Sequence, residues 1–277
     1  MRASLCFLLG AVAAAGCAQM GRLSPLAPLE RSIVFQPDPY PVGDWQPTGL
    51  GHEDVWFETP DGAKLHGWFV GHPQPRAVAL FFHGNAGNIT SRDLILRQLN
   101  QRHAVAVMTF DYRGYGRSEG DPSEPGVLRD ARAARAWLAK RTGVGEHDIV
   151  LIGHSLGGGV AVDLAAKDGA RALVLSSTFS SLPDVGAHHA PLFPAHIVMT
   201  QRLDSINKIG RYQGPLLQCH GDADRVIPIE LGRRLFETAP GPKRFVEVPG
   251  GTHNPPWSDE FHGALRDLLA SLPPPYR

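Results

Sequence analysis

Short apolar runs alternate with longer segments of helical periodicity through most of this 277-residue chain. The apolar runs lie at residues 77–82, 104–110, 148–152, 172–176, 215–219 and 244–248. The helical segments lie at residues 91–102, 127–141, 156–167, 230–239 and 257–272. Strands that alternate with helices form a mostly parallel sheet with helices on both faces. We therefore predict one α/β domain, which spans residues 48–277.

Two further features modify this plan. Residues 53–59 and 64–70 are rich in β-forming residues and are separated by Asp61-Gly62, which predicts a leading antiparallel hairpin. The alternation is interrupted at about residues 178–211, which predicts a small cap inserted into the domain. The cap is apolar at positions 179, 182, 192, 193 and 197–199, which suits either an acyl-binding wall or packing against the domain.

The composition excludes several classes of protein. Apolar residues make up 43% and charged residues 19%, which is a globular composition and not a disordered one. The formal net charge is zero, which argues against a nucleic-acid partner. Cys6, Cys17 and Cys219 match no metal-binding spacing, and we find no cofactor motif.

Residues 1–16 resemble an export signal. A positive start at Arg2 is followed by an apolar run that is too short to span a bilayer. Small residues directly before Cys17 resemble the cleavage site of a bacterial lipoprotein, in which Cys17 carries the lipid and anchors the protein to a membrane surface. Ordinary cleavage after Ala15, which gives a periplasmic or secreted protein, is the alternative. Either interpretation predicts a location in the bacterial cell envelope or outside the cell.

Residues 17–47 precede the predicted domain and are rich in proline. The prolines are Pro25, Pro28, Pro37, Pro39, Pro41 and Pro47. Proline disrupts helix interiors and removes hydrogen-bond donors from strands. We therefore expect no helix here, but an extended tether or a segment that wraps the surface.

A candidate nucleophile follows the predicted strand at 148–152. Gly153-His154-Ser155-Leu156-Gly157 has the pattern G-x-S-x-G, which places a serine on a sharp turn between a strand and a helix. Glycines two residues to either side prevent clashes at that turn. The hydroxyl of Ser155 then lies at the N-terminus of the next helix, where the helix dipole favours developing negative charge.

A serine hydroxyl needs a base, and thirteen histidines compete for that role. We select His253, which lies on a glycine-rich loop after the last predicted strand. His154 is expected to point away from the site, and His66, His72 and His103 are expected at the surface.

The histidine in turn needs an acidic partner that orients it. Asp224 follows the strand at 215–219 and is our choice, while Asp222, closer to the strand end, is assigned to the turn. The chain order Ser155, Asp224, His253 is the order found on this kind of scaffold.

The strand at 77–82 runs into His83-Gly84-Asn85-Ala86-Gly87-Asn88. Backbone amides must closely approach a negatively charged oxygen, and glycines allow that approach. We predict that the backbone N–H groups of Asn85 and Leu156 form an oxyanion hole.

Taken together, these motifs resemble the α/β-hydrolase family, and within it the BEM46, ABHD13 and ABHD17-like serine hydrolases. The resemblance rests on 83–88, 111–120, 153–158, 220–224 and 251–253, and it covers about residues 53–270. It implies an α/β-hydrolase fold, a Ser-His-Asp triad and an acyl ester or thioester substrate. A peptidase with the same triad and a non-catalytic binding protein are the alternatives.

Overall fold

The computed structural model describes residues 27–273, so the signal predicted at 1–16 and the lipid attachment predicted at Cys17 lie outside the described residues. A single large sheet of eight strands runs through the described chain. Its strands are β2 (Glu53–Glu58), β3 (Lys64–Val70), β4 (Ala77–Phe82), β6 (Val105–Phe110), β7 (Val150–His154), β8 (Ala172–Ser176), β9 (Leu216–Gly221) and β10 (Lys243–Val248). They lie side by side in the order β10-β9-β8-β7-β4-β6-β3-β2.

The pairing confirms the predicted fold class. Strands β10, β9, β8, β7, β4 and β6 pair in parallel. The leading hairpin β2–β3 is antiparallel and joins the sheet through an antiparallel pairing of β3 with β6. The carboxyl ends of the parallel strands therefore meet at one edge of the sheet, where ligands bind in open α/β sheets.

Helices cover both faces of this sheet. In β4 the side chains of Val78, Leu80 and Phe82 belong to one apolar core, and those of Ala77, Ala79 and Phe81 belong to another. Three helices pack on the first face: α3 (Glu124–Thr142), α4 (Leu156–Asp168) and α7 (Ile229–Thr238). On the second face lie α2 (Asp93–Arg97) and α8 (Asp259–Ser271). Around α2, the predicted helix at 91–102 is divided into a 3-10 turn (Ile89–Arg92), α2 and a π-helical turn (Gln98–Arg102).

The proline-rich segment contains a helix, so the prediction of no helix at 17–47 is wrong. Helix α1 spans Ala27–Val34, and its one proline, Pro28, lies in the first turn, where a missing N–H costs nothing. The chain then forms β1 (Gln36–Pro37), which pairs in parallel with β5 (Ala86–Gly87). Phe35 and Trp45 are buried, so this segment packs on the domain from residue 34 onward.

The interruption at 178–211 is short and combines brief helices with loops. It contains α5 (Leu182–His189), α6 (Ala195–Val198) and a 3-10 turn (Ile209–Arg211). Its apolar side chains divide into two groups, since Phe179 is buried whereas Leu192 and Ile197 are exposed. Across residues 27–273 we find no helix whose length and hydropathy would allow it to cross a membrane.

Candidate active site

Ser155 occupies a strained turn between β7 and α4. Its backbone has φ 53° and ψ −119°, outside the regions that residues with a side chain ordinarily adopt. A Cβ atom at Gly157 would overlap the carbonyl oxygen of Phe82, and one at Gly153 would overlap the carbonyl oxygen of Gly157. The glycines of the motif are therefore needed for close packing of backbone against backbone, and they hold the Ser155 hydroxyl above the sheet.

His253 lies within hydrogen-bond distance of that hydroxyl. The distance from His253 Nε2 to Ser155 Oγ is 2.9 Å, and His253 Nδ1 lies 2.8 Å from Asp224 Oδ2. The three side chains come from loops that follow three parallel strands, β7, β9 and β10. With Nδ1–H donating to the carboxylate, Nε2 is free to accept the proton of the serine hydroxyl.

The Asp224 carboxylate is buried and fully bonded. Oδ1 accepts the backbone N–H groups of Val226 and Ile227 at 2.8 and 2.9 Å, and Oδ2 also lies 3.2 Å from His220 Nε2. Burial acts to raise the pKa of Asp224, but the hydrogen bonds from His220 and His253 outweigh it and hold the pKa well below its ordinary value. Asp224 is therefore ionised at neutral pH.

Asp222 lies outside this series of hydrogen bonds. Its Oδ1 accepts the backbone N–H of Gly250 at 2.6 Å, which joins the β9 loop to the β10 loop that leads to His253. This contact agrees with its assignment to the turn.

His154 lines the same cavity as Ser155, so the expectation that it points away is wrong. Its Nε2 lies 2.9 Å from Asn254 Oδ1, and its Nδ1 lies 3.1 Å from Ser176 Oγ. Burial, with a smaller contribution from His253, lowers the pKa of His154 to about 3. His154 is thus a neutral hydrogen-bonding group that supports the loop of His253.

Two other histidines are also buried, contrary to expectation. His66 Nε2 lies 2.7 Å from Asp54 Oδ1, and His103 Nε2 lies 2.9 Å from His262 Nδ1. His103 and His262 are 159 residues apart, so their contact is not visible from the sequence, whereas His66 and Asp54 lie on the two paired strands of the leading hairpin.

The two predicted oxyanion residues both lie close to Ser155. Leu156 begins α4 directly after the serine, and Asn85 follows Gly84, at which an added Cβ would lie 3.4 Å from the Cβ of Ser155. The loop is fixed from several directions: Gln36 N donates to Asn85 Oδ1 at 2.9 Å, and Tyr115 Oη donates to Asn85 O at 2.8 Å. Both Asn85 and Leu156 line the cavity that holds Ser155.

The cavity above Ser155 has a volume of about 770 Å³ and two chemically different ends. One end is apolar, and its side chains come from α1, the 178–211 segment and the loop after Asp224. These side chains are Ile33, Val34, Phe179, Leu182, Val185, Met199, Val226 and Ile227. The other end is polar and carries Asp38, the loop 85–87, Ser91 and Arg92.

Residues 33–38 and Arg92 are parts of this site that the sequence did not reveal. The apolar positions of α1 were the available signal, because Ile33 and Val34 follow Leu29 at helical spacing. The prolines on either side argued against a helix at these positions. Arg92 falls within a segment that is predicted only as an ordinary surface helix.

Comparison with known proteins identifies the family. The model of the family described as "Alpha/beta hydrolase family" matches residues 65–212, which include Ser155 and the loop of Asn85. The chain belongs to the alpha/beta hydrolase family. Relatives of this alpha/beta hydrolase include the uncharacterized protein MT2364 of Mycobacterium tuberculosis, 37% identical over 91% of this chain and 90% of that protein. The alpha/beta hydrolase domain-containing protein WAV2 of Arabidopsis thaliana is 34% identical over 75% of this chain and 74% of its own length.

A solved structure supports the same fold. The Pyrococcus furiosus esterase Pf2001 superposes with a TM-score of 0.71 and covers 86% of this chain and 98% of its own. Its sequence identity to this alpha/beta hydrolase is 21%, so the likeness concerns the fold alone.

Proposed function

We propose that this alpha/beta hydrolase is a serine hydrolase that cleaves carboxylic esters or thioesters through an acyl-enzyme. The observation that carries the proposal is the hydrogen-bonded series Asp224–His253–Ser155 with its hydroxyl in a cavity. A serine, a histidine and a carboxylate in this relation form the arrangement that activates a hydroxyl for attack on acyl carbon.

The proposed reaction has two halves. Ser155 Oγ bonds to the carbonyl carbon of the substrate while its proton passes to His253 Nε2, and the backbone N–H groups of Asn85 and Leu156 bind the oxyanion. The intermediate collapses as His253 returns the proton to the departing alcohol or thiol. Water then attacks the acyl-enzyme by the same proton transfers, and the carboxylic acid leaves. Asp224 stays ionised and stabilises the imidazolium in both halves.

Two observations favour acyl esters and thioesters over peptides. The apolar end of the cavity suits a hydrocarbon acyl chain, and the segment at 178–211 is short, with two helices of eight and four residues. The motifs that resemble the BEM46, ABHD13 and ABHD17-like group support the same chemistry. A peptidase would need a wall that selects the peptide chain on both sides of the scissile bond.

The test combines a fluorophosphonate probe with p-nitrophenyl esters of increasing acyl length. We expect labelling and turnover in the wild type and the loss of both in Ser155→Ala. Ser177→Ala is the matched control, since Ser177 also follows a strand, is buried and has a positive φ of 47°, but its hydroxyl has no partner within residues 27–273. A folded wild type that reacts with neither reagent would overturn the proposal. Turnover of aminoacyl-coumarins in place of esters would favour the peptidase.

We further propose that Cys17 is lipidated and anchors the protein to a membrane of the bacterial envelope. The small residues before Cys17 support this proposal. Mass spectrometry of the N-terminal peptide from a bacterial host tests it. We expect a lipid-modified Cys17 in the wild type, and a Cys17→Ser variant that leaves the membrane fraction. An N-terminus at Gly16 or at an unmodified cysteine would contradict it.

A further inference from the structure

Arg92 is a cation in the wall of the active-site cavity, and it has no ionic partner among residues 27–273. Its Nη2 donates to the carbonyl oxygen of Ala86 at 2.8 Å, which is its one hydrogen bond within residues 27–273. Its Nε atom is buried and has no partner in the same part of the chain. Because a guanidinium has five N–H donors in a planar fork, most of its bonding capacity is unused.

Arg113 shows what a paired guanidinium looks like in this protein. Arg113 bonds to the carboxylates of both Asp130 and Asp61 at 2.7–3.2 Å. Arg92 has no such bond to a carboxylate in the part of the chain that the structure describes, and burial lowers its pKa. Asp111 acts on Arg92 through space, but its own Oδ1 accepts the N–H of Ile89. Burying part of a cation costs free energy unless an anion pairs with it.

The short loop of residues 84–87 connects the neighbourhood of Ser155 with that of Arg92. A Cβ added at Gly84 would lie 3.4 Å from the Cβ of Ser155, and one added at Gly87 would lie 3.9 Å from Nη2 of Arg92. Three residue steps separate these glycines, so their Cα atoms are at most about 11 Å apart. A substrate of ordinary size can therefore place its carbonyl at Ser155 and another group at Arg92.

The Asp38 carboxylate lies near Arg92, because a Cβ added at Gly87 would lie 3.8 Å from Asp38 Oδ2 and 3.9 Å from Arg92 Nη2. Asp38 is exposed and forms no hydrogen bond or ion pair with Arg92 among the described residues, so the guanidinium keeps free N–H donors for a further anion. His154, which lines the cavity together with Arg92 and the catalytic groups, is neutral. The cavity that holds Ser155 thus has an apolar part and a polar part in which a guanidinium has unused N–H donors.

We propose that Arg92 binds an anionic group of the substrate, so that this hydrolase acts on acyl esters or thioesters that carry a carboxylate or phosphate. The proposal rests on the serine hydrolase function proposed above. The anion can belong either to the acyl part or to the alcohol or thiol part of the substrate. The fork of N–H donors suits the paired oxygens of either group.

The test compares matched charged and neutral esters. The first arm uses p-nitrophenyl esters of glutaric acid and of glutaric acid monomethyl ester, so that the acyl part carries or lacks the charge. The second arm uses butyryl esters of 4-hydroxybenzoate and of its methyl ester, so that the leaving group carries or lacks the charge. In the arm whose charged group reaches Arg92, we expect Arg92→Gln to lower the ratio of kcat/KM for the charged ester to kcat/KM for the neutral ester by about tenfold or more. We expect Arg92→Lys to keep part of the preference for the charged ester over the neutral ester.

Arg97→Gln is the matched control. Arg97 lies in the next helical turn, where its Nε lies 3.5 Å from Asp93 Oδ2, and it does not line the cavity. We expect it to leave all four esters unchanged.

Two results would overturn the proposal. An equal loss for charged and neutral esters would mean that Arg92 only holds the loop through Ala86. No change in either arm would mean that no anion binds there. If the wild type hydrolyses no ester, calorimetric titration of Ser155→Ala with glutarate and with 4-hydroxybenzoate still tests the site. Binding that is lost on adding Arg92→Gln supports it, and the absence of binding overturns it.

Discussion

His253 places its Nε2 atom 2.9 Å from the Oγ atom of Ser155, although 98 residues separate the two in the chain. The contact depends on the parallel sheet, because β7 delivers the serine and the loop after β10 delivers the histidine to the same edge. Two strands, β8 and β9, lie between β7 and β10. The loop from β10 spans this distance, and it is held there by Asp224 and by Asn254, which contacts His154.

Asp224→Asn should leave the fold intact and nearly abolish activity. An amide can still contact His253, but it does not stabilise the imidazolium and it favours the wrong tautomer. We expect kcat for ester hydrolysis to fall by about 10⁴ with KM little changed. Asp222→Asn is the control, since Asp222 only accepts the N–H of Gly250, and a loss of less than about tenfold is expected there. Comparable losses in the two variants would contradict the role assigned to Asp224.

Gly157→Ala should disrupt the turn that carries Ser155. The added methyl would overlap the carbonyl oxygen of Phe82, which is backbone of the central strand and cannot move aside. We expect a loss of about 3 kcal/mol or more in the free energy of unfolding, measured in urea, together with loss of probe labelling. Gly210→Ala is the matched control, because nothing lies within 4 Å of a Cβ built there. Equal stability of the two variants would show that the turn relaxes more easily than its packing indicates.

The sequence predicts the sheet and the three strand ends that carry Ser155, Asp224 and His253. These features can be predicted because they are local in the sequence. An apolar run marks each buried strand, and a glycine-rich loop or an acidic turn follows the strand. Parallel strands then bring their carboxyl ends together without further information. The structure confirms the fold and places these three side chains within hydrogen-bond distance in one series.

The parts that were predicted wrongly depend on contacts between distant segments. Helix α1 is too short to be stable alone and is held by packing of Val34 and Phe35 on the domain. The orientation of His154 depends on Asn254, 100 residues away. Arg92 ends a 3-10 turn directly before α2, and hydrophobic periodicity does not reveal this division of the helical segment.

Glu30→Ala should detach α1 from the 178–211 segment and alter substrate selection. The Glu30 carboxylate accepts the backbone N–H groups of Thr200 and Gln201 at 2.8 and 2.7 Å, and α1 contributes Ile33 and Val34 to the apolar wall. We expect KM for long-chain p-nitrophenyl esters to rise about fivefold or more, while kcat/KM for the acetate ester changes less than about twofold.

Arg31→Ala serves as the control for this change, because Arg31 is the exposed neighbour of Glu30 on the same helix. It should leave the dependence on acyl length unaltered. An unchanged length profile in Glu30→Ala would show that α1 stays in place without its carboxylate or that acyl chains do not contact it.

Asp130→Ala should destabilise the fold through Arg113, with little direct effect on the chemistry. Asp130 is fully buried, and its carboxylate accepts the Nε and Nη2 donors and the backbone N–H of Arg113. Removing one partner leaves a largely buried guanidinium with Asp61 alone, at a cost of about 3 kcal/mol in the free energy of unfolding. Glu53→Ala, which breaks the exposed pair with Arg141, should cost less than about 1 kcal/mol. Urea titration of both variants measures these losses in the free energy of unfolding. Similar losses in Asp130→Ala and Glu53→Ala would contradict the stabilising role assigned to the buried pair.

His83 should make the protein sensitive to mild acid. It is fully buried between Gly84 and the ring of Tyr112, and burial lowers its pKa from 6.5 to about 3. Above pH 6.5 the imidazole is neutral in both the folded and the unfolded chain, so it adds no pH dependence. Between pH 6.5 and 3 the unfolded chain alone binds a proton there, so stability falls with acidification by about 1.4 kcal/mol per pH unit. His83→Gln keeps an N–H donor for the Gly84 carbonyl and should reduce the slope of unfolding free energy against pH by that amount between pH 6 and 4. Parallel slopes for the wild type and His83→Gln would mean that the buried imidazole accepts a proton without unfolding.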